Sequence, residues 1–238
     1  MQNNKLDPYL YDDCDVLVNN LNIKDNKTLD EAESVYATTA IIKLRKEGYI
    51  IEDVYSIFNI HKILFEGIYS WAGNKRTITM YKKEEILNGC SVDYTPHEYI
   101  DKEMKDLNNL YKSIKWDKLD DNTKIIQICT VVAELWRIHC FREGNTRSVA
   151  MFLYFLLKQN NMHINIDFLG THSAYFRNAL VLASLYSASK PEYLLGIVKD
   201  ITSISKTKNK YQSIEGYDVN KYKYSYHTID KIKTIKNI

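Results

Sequence analysis

The sequence predicts an all-α fold built around one pair of buried helices, with a small β-hairpin flap and a C-terminal appendage. Three observations carry that expectation. Eight glycines and three prolines in 238 residues are too few breaks for a turn-rich all-β protein. Ile125, Ile126, Ile128, Val131, Val132, Leu135, Trp136 and Ile138 recur at helical spacing. Val149, Met151, Phe152, Leu153, Phe155, Leu156 and Leu157 leave almost no polar face, which marks a buried helix. Between these two runs lies a polar bend, residues 138–147.

In chain order, residues 1–20 read as an irregular lead-in anchored by Tyr9, Leu10, Tyr11, Val16 and Leu17. A helix is expected over 28–47, with Thr28 as N-cap, Glu31 in the capping-box position and Gly48 as its stop. A second, about 53–67, starts at Asp53 and carries Val54, Ile57, Phe58, Ile60, Ile63, Leu64 and Phe65. The glycines and the β-prone run Thr77-Ile78-Thr79-Met80 predict a hairpin flap, and residues 81–95 a loop up to Pro96. Further helices are expected over 97–114, 122–138, 147–160, 172–188 and 191–202, the last with Pro191 in its first turn. Residues 1–202 thus form one helical domain, and residues 203–238 a basic Tyr/Lys-rich tail.

Composition bounds the function. The chain is 45% hydrophobic and 26% charged, and no apolar run approaches the roughly 20 residues needed to cross a bilayer. The N-terminus lacks the apolar stretch of a signal peptide, so a cytoplasmic protein is expected, a secreted effector being compatible with the same features. Cys14, Cys90, Cys129 and Cys140 share no metal-ligand or redox spacing and are expected to be reduced thiols. The net charge is +2, with eight lysines against three acids in residues 203–238, so the body is mildly acidic and the tail basic. Tyr222, Tyr224 and Tyr226 alternate there with Lys221 and Lys223. Such interleaving can bind nucleic acid, but a surface strand or loose tail explains it more simply, and no nucleic-acid partner is expected.

The bend concentrates the chemistry. His139 can accept a proton near neutrality while it stays uncharged. Glu143 offers hard oxygens, and one carboxylate often holds Mg²⁺ together with phosphate oxygens. Gly144-Asn145 can form an anion-binding nest at the start of the following helix. Arg147 can grip a phosphate through paired hydrogen bonds. Singly, each of these is more often structural; together, between two buried helices, they point to nucleotide phosphate chemistry. No Walker loop, glycine-rich kinase or dinucleotide loop, or H-E-x-x-H motif competes, and the other histidines form no ligand spacing.

His139-Cys-Phe-Arg-Glu-Gly-Asn-Thr-Arg147 resembles the signature H-P-F-x-[DE]-G-N-G-R-x-x-R of the Fic (filamentation induced by cAMP) family. Leu64–Gly73 followed by Arg76 resembles that family's segment leading into its flap, and the similarity extends over roughly residues 5–200. The resemblance implies an adenylyltransferase that moves AMP from ATP, with Mg²⁺ or Mn²⁺, onto a hydroxyl of a target protein. It implies His139 as the base, Glu143 as the metal ligand, and Gly144, Asn145, Thr146 and Arg147 on the phosphates, Asn145 towards the α- and Arg147 towards the β-phosphate. Phe141 becomes a core anchor, and Thr77, Ile78, Thr79, Met80, Tyr81 and Lys82 hold the target segment by strand pairing. The implied partner is a protein presenting a Ser, Thr or Tyr hydroxyl; self-modification and a homodimer fit the same reading, a membrane does not.

Three departures qualify the resemblance. Cys140 replaces Pro, Thr146 replaces Gly and narrows the nest, and Ala150 replaces the second Arg. In the family that Arg also receives an inhibitory Glu from a helix bearing [ST]-x-x-x-E-[GN]. The N-terminal helix carries no such motif, and Tyr211–Tyr217 holds a degenerate version around Glu215, so intramolecular inhibition is expected to be weak or absent. One alternative is a phosphotransferase like the Doc toxin, which has Lys where this chain has Thr146. The other is a non-catalytic nucleotide-binding module.

Overall fold

The computed structural model describes residues 7–186 and 189–203. The predicted Tyr222–Tyr226 strand and Glu215 lie outside the described residues. Eight α-helices are formed among those described: α1 (Asn26–Glu47), α2 (Ser56–Phe65), α3 (Ile100–Ser113), α4 (Asp121–Ile138), α5 (Asn145–Gln159), α6 (Ile166–Thr171), α7 (Ser173–Ala183) and α8 (Glu192–Ser203).

α4 and α5 are the axis. α4 packs against α3, α5, α7 and α8, while α2 packs against both α1 and α5. Val149, Met151, Phe152, Leu153, Phe155, Leu156 and Leu157 are all buried. Each such side chain gains roughly 1.5–3 kcal/mol on burial, so α5 holds firm the polar bend at its start. No helix among the described residues is long and apolar enough to cross a membrane. The four cysteines are free thiols, with burial raising Cys140 to about 12.

Helix ends differ from expectation where a better acceptor sits nearby. Asp25, not Thr28, caps α1: its carboxylate accepts from the Thr28 amide at 2.8 Å and from the Thr28 hydroxyl at 2.6 Å. The carboxylate outcompetes a hydroxyl and draws Thr28 into the first turn. Asp53 accepts from the Tyr55 amide and forms a turn, so α2 starts at Ser56. Gly48 ends α1 at φ +82°, a conformation favouring glycine.

The predicted hairpin flap is not formed. Residues 77–96 run as an irregular strap with a 3-10 turn at Glu85–Leu87, and the only β-bridge among the described residues joins Leu10 and Leu17. Amides that a ladder would use go to side chains. The Thr77 N–H donates to Tyr9 Oη at 3.0 Å, and the Lys82 N–H to Ser91 Oγ at 3.2 Å. The doubling-back is held by Glu84 N–H to Cys90 O at 3.1 Å.

Candidate active site

α4 ends at His139, which takes a left-handed conformation (φ +53°, ψ +57°). A non-glycine residue there is strained and persists only when its surroundings hold it. Buried Arg76 does so. Its Nε donates to His139 O at 2.7 Å, its other nitrogens reach Ile138 O, Ile78 O and Thr95 O, and its backbone N–H donates to Cys140 O at 2.7 Å. A guanidinium on the last carbonyls of α4 satisfies orphan acceptors and complements the helix dipole.

The His139 ring is fully buried. Nδ1 lies 3.2 Å from Trp136 O, and a carbonyl only accepts, so Nδ1 carries the proton. Nε2 is left with a bare lone pair and no hydrogen-bond partner. Burial, then the Lys82 ammonium, holds the imidazole well below its ordinary pKa range, so it is neutral at pH 7. Tyr94 covers it, ring centroids 4.0 Å apart.

The rest of the bend is fixed from within. The Asn145 side chain accepts from Phe141 N–H at 3.0 Å and donates to Phe141 O at 2.7 Å, which closes the turn. Phe141 is buried, stacked on His61 at 3.7 Å and edge-on to Phe58 at 5.3 Å. Gly144 sits at φ +82°, and a Cβ there would lie 2.4 Å from the Phe65 ring. The first amides of α5, at Asn145, Thr146 and Arg147, have no intrahelical acceptor and form an anion-facing end.

Three cations border the bend, each bound to a carboxylate from another element. Lys82 Nζ is 3.0 Å from Glu143 Oε2, whose Oε1 accepts from Gly144 N–H at 3.0 Å. Burial alone would raise the Glu143 carboxyl; Lys82, the Gly144 amide and Arg147 bring it down to about 2. Arg147 pairs with buried Glu33 of α1, which also accepts from Tyr69 Oη, and lies over the Phe65 ring. Arg177 of α7 donates to Glu84 Oε1 at 2.7 Å and to Thr146 Oγ1 at 3.2 Å.

The predicted residues His139, Glu143, Gly144, Asn145, Thr146 and Arg147 therefore meet in one bend. Of the strap, Lys82 reaches it; Thr79 bonds instead to His97 Nδ1 at 3.1 Å. Thr79, Met80 and Tyr81 line a cavity of about 370 Å³ with Ser91–Pro96, Glu103 and Tyr186. A larger cavity, about 950 Å³, lies at the other end of α5 and holds none of these residues.

Residues 52–157 match the model of the Fic/DOC family. Over those residues the chain is similar to a Fic domain. It is 26% identical over 204 residues to the protein adenylyltransferase VbhT of Bartonella schoenbuchensis, covering 82% of this chain and 41% of that one. It is 27% identical over 152 residues to the probable protein adenylyltransferase Fic of Escherichia coli, covering 61% of this chain and 70% of that relative. The chain thus spans about two-fifths of VbhT's length. Among solved structures, BepC of Bartonella tribocorum with bound AMPPNP superimposes with a TM-score of 0.68 at 21% identity, over 81% of this chain and 95% of that one. The Fic domain of a cell filamentation protein of Bartonella quintana with bound ADP gives 0.69 at 21% identity, over 83% and 95%. These likenesses fix the helical fold.

Sequence reasoning missed several residues that the Fic fold assembles. His61 accepts from Gly73 N–H at Nδ1 (2.8 Å), so its Nε2–H donates to Glu143 O at 3.0 Å. Burial lowers its pKa to about 4. His61 and Glu33 stood on the buried faces of α2 and α1, beside Ile57 and Leu64 and between Leu29 and Ala37, and a polar residue in that register was the available signal. Glu84, Tyr94 and Arg177 left none.

Proposed function

We propose that the chain is a protein adenylyltransferase: AMP moves from ATP to a Ser, Thr or Tyr hydroxyl of a target protein. The observation that carries this reading is the bare Nε2 of neutral His139, on the bend that leads into the amino end of α5. The acceptor hydroxyl gives its proton to Nε2 as its oxygen bonds to the α-phosphorus. The bond from that phosphorus to the bridging oxygen breaks, and pyrophosphate leaves. The amides of Asn145, Thr146 and Arg147 at the start of α5 face the phosphates, and the Arg147 guanidinium, oriented by Glu33, takes the β-phosphate. Asn145 acts through the bend, because both its side-chain polar atoms are committed to Phe141.

The residues fit a divalent cation. Glu143 is ionised, and a cation already stands on it in the form of Lys82 Nζ. Mg²⁺ or Mn²⁺ would bind there with phosphate oxygens and neutralise charge on them. Lys82 must yield that place when it binds. The Thr77–Lys82 run would hold the target segment, with Thr79, Met80 and Tyr81 lining the 370 Å³ cavity beside it. Residues 1–202 constitute the catalytic domain, with self-modification and a homodimer compatible with it. Ala150 half-buried on α5 supports weak intramolecular inhibition; a many-fold rise in activity of Glu215→Gly would contradict that.

A phosphotransferase reading has one observation in its favour: the Arg177 guanidinium brings charge to Thr146. Incubating the protein and a cell lysate with α-labelled or γ-labelled ATP separates the readings. Label from α-ATP alone is the expected result. Label from γ-ATP alone identifies a phosphotransferase, and none from either a binding module.

A further inference from the structure

Glu84 is the hub of a contact that ties the bend to the cover over His139. Its carboxylate is 4% exposed, and a single oxygen, Oε1, accepts from both Arg177 (2.7 Å) and Tyr94 Oη (2.9 Å). Arg177 also reaches Thr146 Oγ1, to which Trp136 Nε1 donates at 3.1 Å, and lies over the Trp136 ring at 5.9 Å. The guanidinium therefore stands at the first turn of α5, still about one-third exposed. Its charge is shared between a carboxylate behind it and an anion-facing helix end before it. A triphosphate arriving at that end presents several charges where Glu84 presents one, and a guanidinium prefers the denser anion.

We propose that Arg177 is a further phosphate-binding residue, drawn from Glu84 towards the nucleotide at the first turn of α5. This rests on the nucleotide reading above and deepens it.

Affinities for α,β-methylene-ATP and for adenosine, measured by calorimetry, provide the test. Because Arg177→Gln alone strips a buried carboxylate of its partner, the comparison is made in the Glu84→Gln background, with Arg177→Lys as the conservative control. Glu84→Gln should bind the analogue several-fold tighter than wild type, since a competitor is gone. Adding Arg177→Gln should weaken analogue binding by about tenfold or more and leave adenosine unchanged, with Arg177→Lys recovering part of the loss.

Equal losses for analogue and adenosine, or no loss, in a wild type that binds and transfers AMP would overturn this inference alone. Failure of wild type to bind the analogue would overturn the nucleotide reading and this one with it.

Discussion

The bend at 139–147 and the strap at 77–96 face each other across the site and are held in different ways. In the bend, polar side chains end on backbone: Asn145 on Phe141, His61 on Glu143 and Gly73, Arg76 on Ile138 and His139. In the strap, the decisive contacts are ionic and reach into other elements: Lys82 to Glu143, Glu84 to Arg177. Buried backbone hydrogen bonds have no substitute once the bend is in place, and breaking one leaves an unpaired group in the interior. The Lys82–Glu143 pair is partly exposed, and such a pair can be exchanged for another anion or cation at little net cost. The bend is the fixed half of the site and the strap the exchangeable half.

The largest effect of a single substitution should follow from filling the one space the bend cannot give. Gly144→Ala meets the Phe65 ring and adopts a left-handed φ, so it should cost about 2 kcal/mol or more and lower the midpoint of denaturant unfolding markedly. An unchanged midpoint would show that α2 and the bend are not rigidly coupled.

Acid should loosen the fixed half next. His61 has a pKa of about 4 in the folded protein against 6.5 unfolded, so the unfolded chain binds more protons between those values. The stability from neutral His61 is complete above about pH 6.5 and is lost as pH falls towards 4, a change of about 3 kcal/mol. Buried His139 adds in the same direction. Glu143 contributes separately, its stabilisation present above 4.5 and lost as pH falls towards 2. Urea unfolding at pH 7 and pH 5 should show the drop, and His61→Gln should flatten part of it; parallel pH profiles for both proteins would count against a buried neutral imidazole.

Asn145→Ala leaves the buried Phe141 N–H and C=O without partners and should cost about 1–3 kcal/mol. Because its side chain is a brace, the loss of activity should be accompanied by a matching loss of stability; a fully stable but inactive variant would place the amide on substrate instead. The smallest effect belongs to the strap. Lys82→Ala should change stability by less than about 1 kcal/mol, since the pair is partly exposed, and lower the Mg²⁺ concentration needed for half-maximal nucleotide binding. A higher requirement would show that Lys82 aids the cation.

The same division governs what could be read from the sequence. The helices and the bend were legible because period and motif are local: Ile125 to Ile138 and Val149 to Leu157 announce buried faces, and His139 to Arg147 is contiguous. Helix starts drifted because Asp25 competes with Thr28 over three residues, a contest of acceptors that spacing does not decide. The strap misled because Thr77–Met80 has β propensity, yet its first amide bonds to Tyr9, far away in the chain. Arg147 with Glu33, and Arg177 with Glu84, join residues that only the packing of α1, α5 and α7 brings together. No local pattern marks such pairs.

The central claim is that neutral His139 takes the proton of the acceptor hydroxyl while the bend holds ATP. Transfer of α-label to protein by His139→Ala, measured beside the affinity of the same variant for α,β-methylene-ATP, tests it most directly. Loss of about 10²-fold or more in transfer with affinity kept within a few-fold is the predicted result. Transfer persisting at the wild-type rate in a variant that still binds the analogue would contradict it.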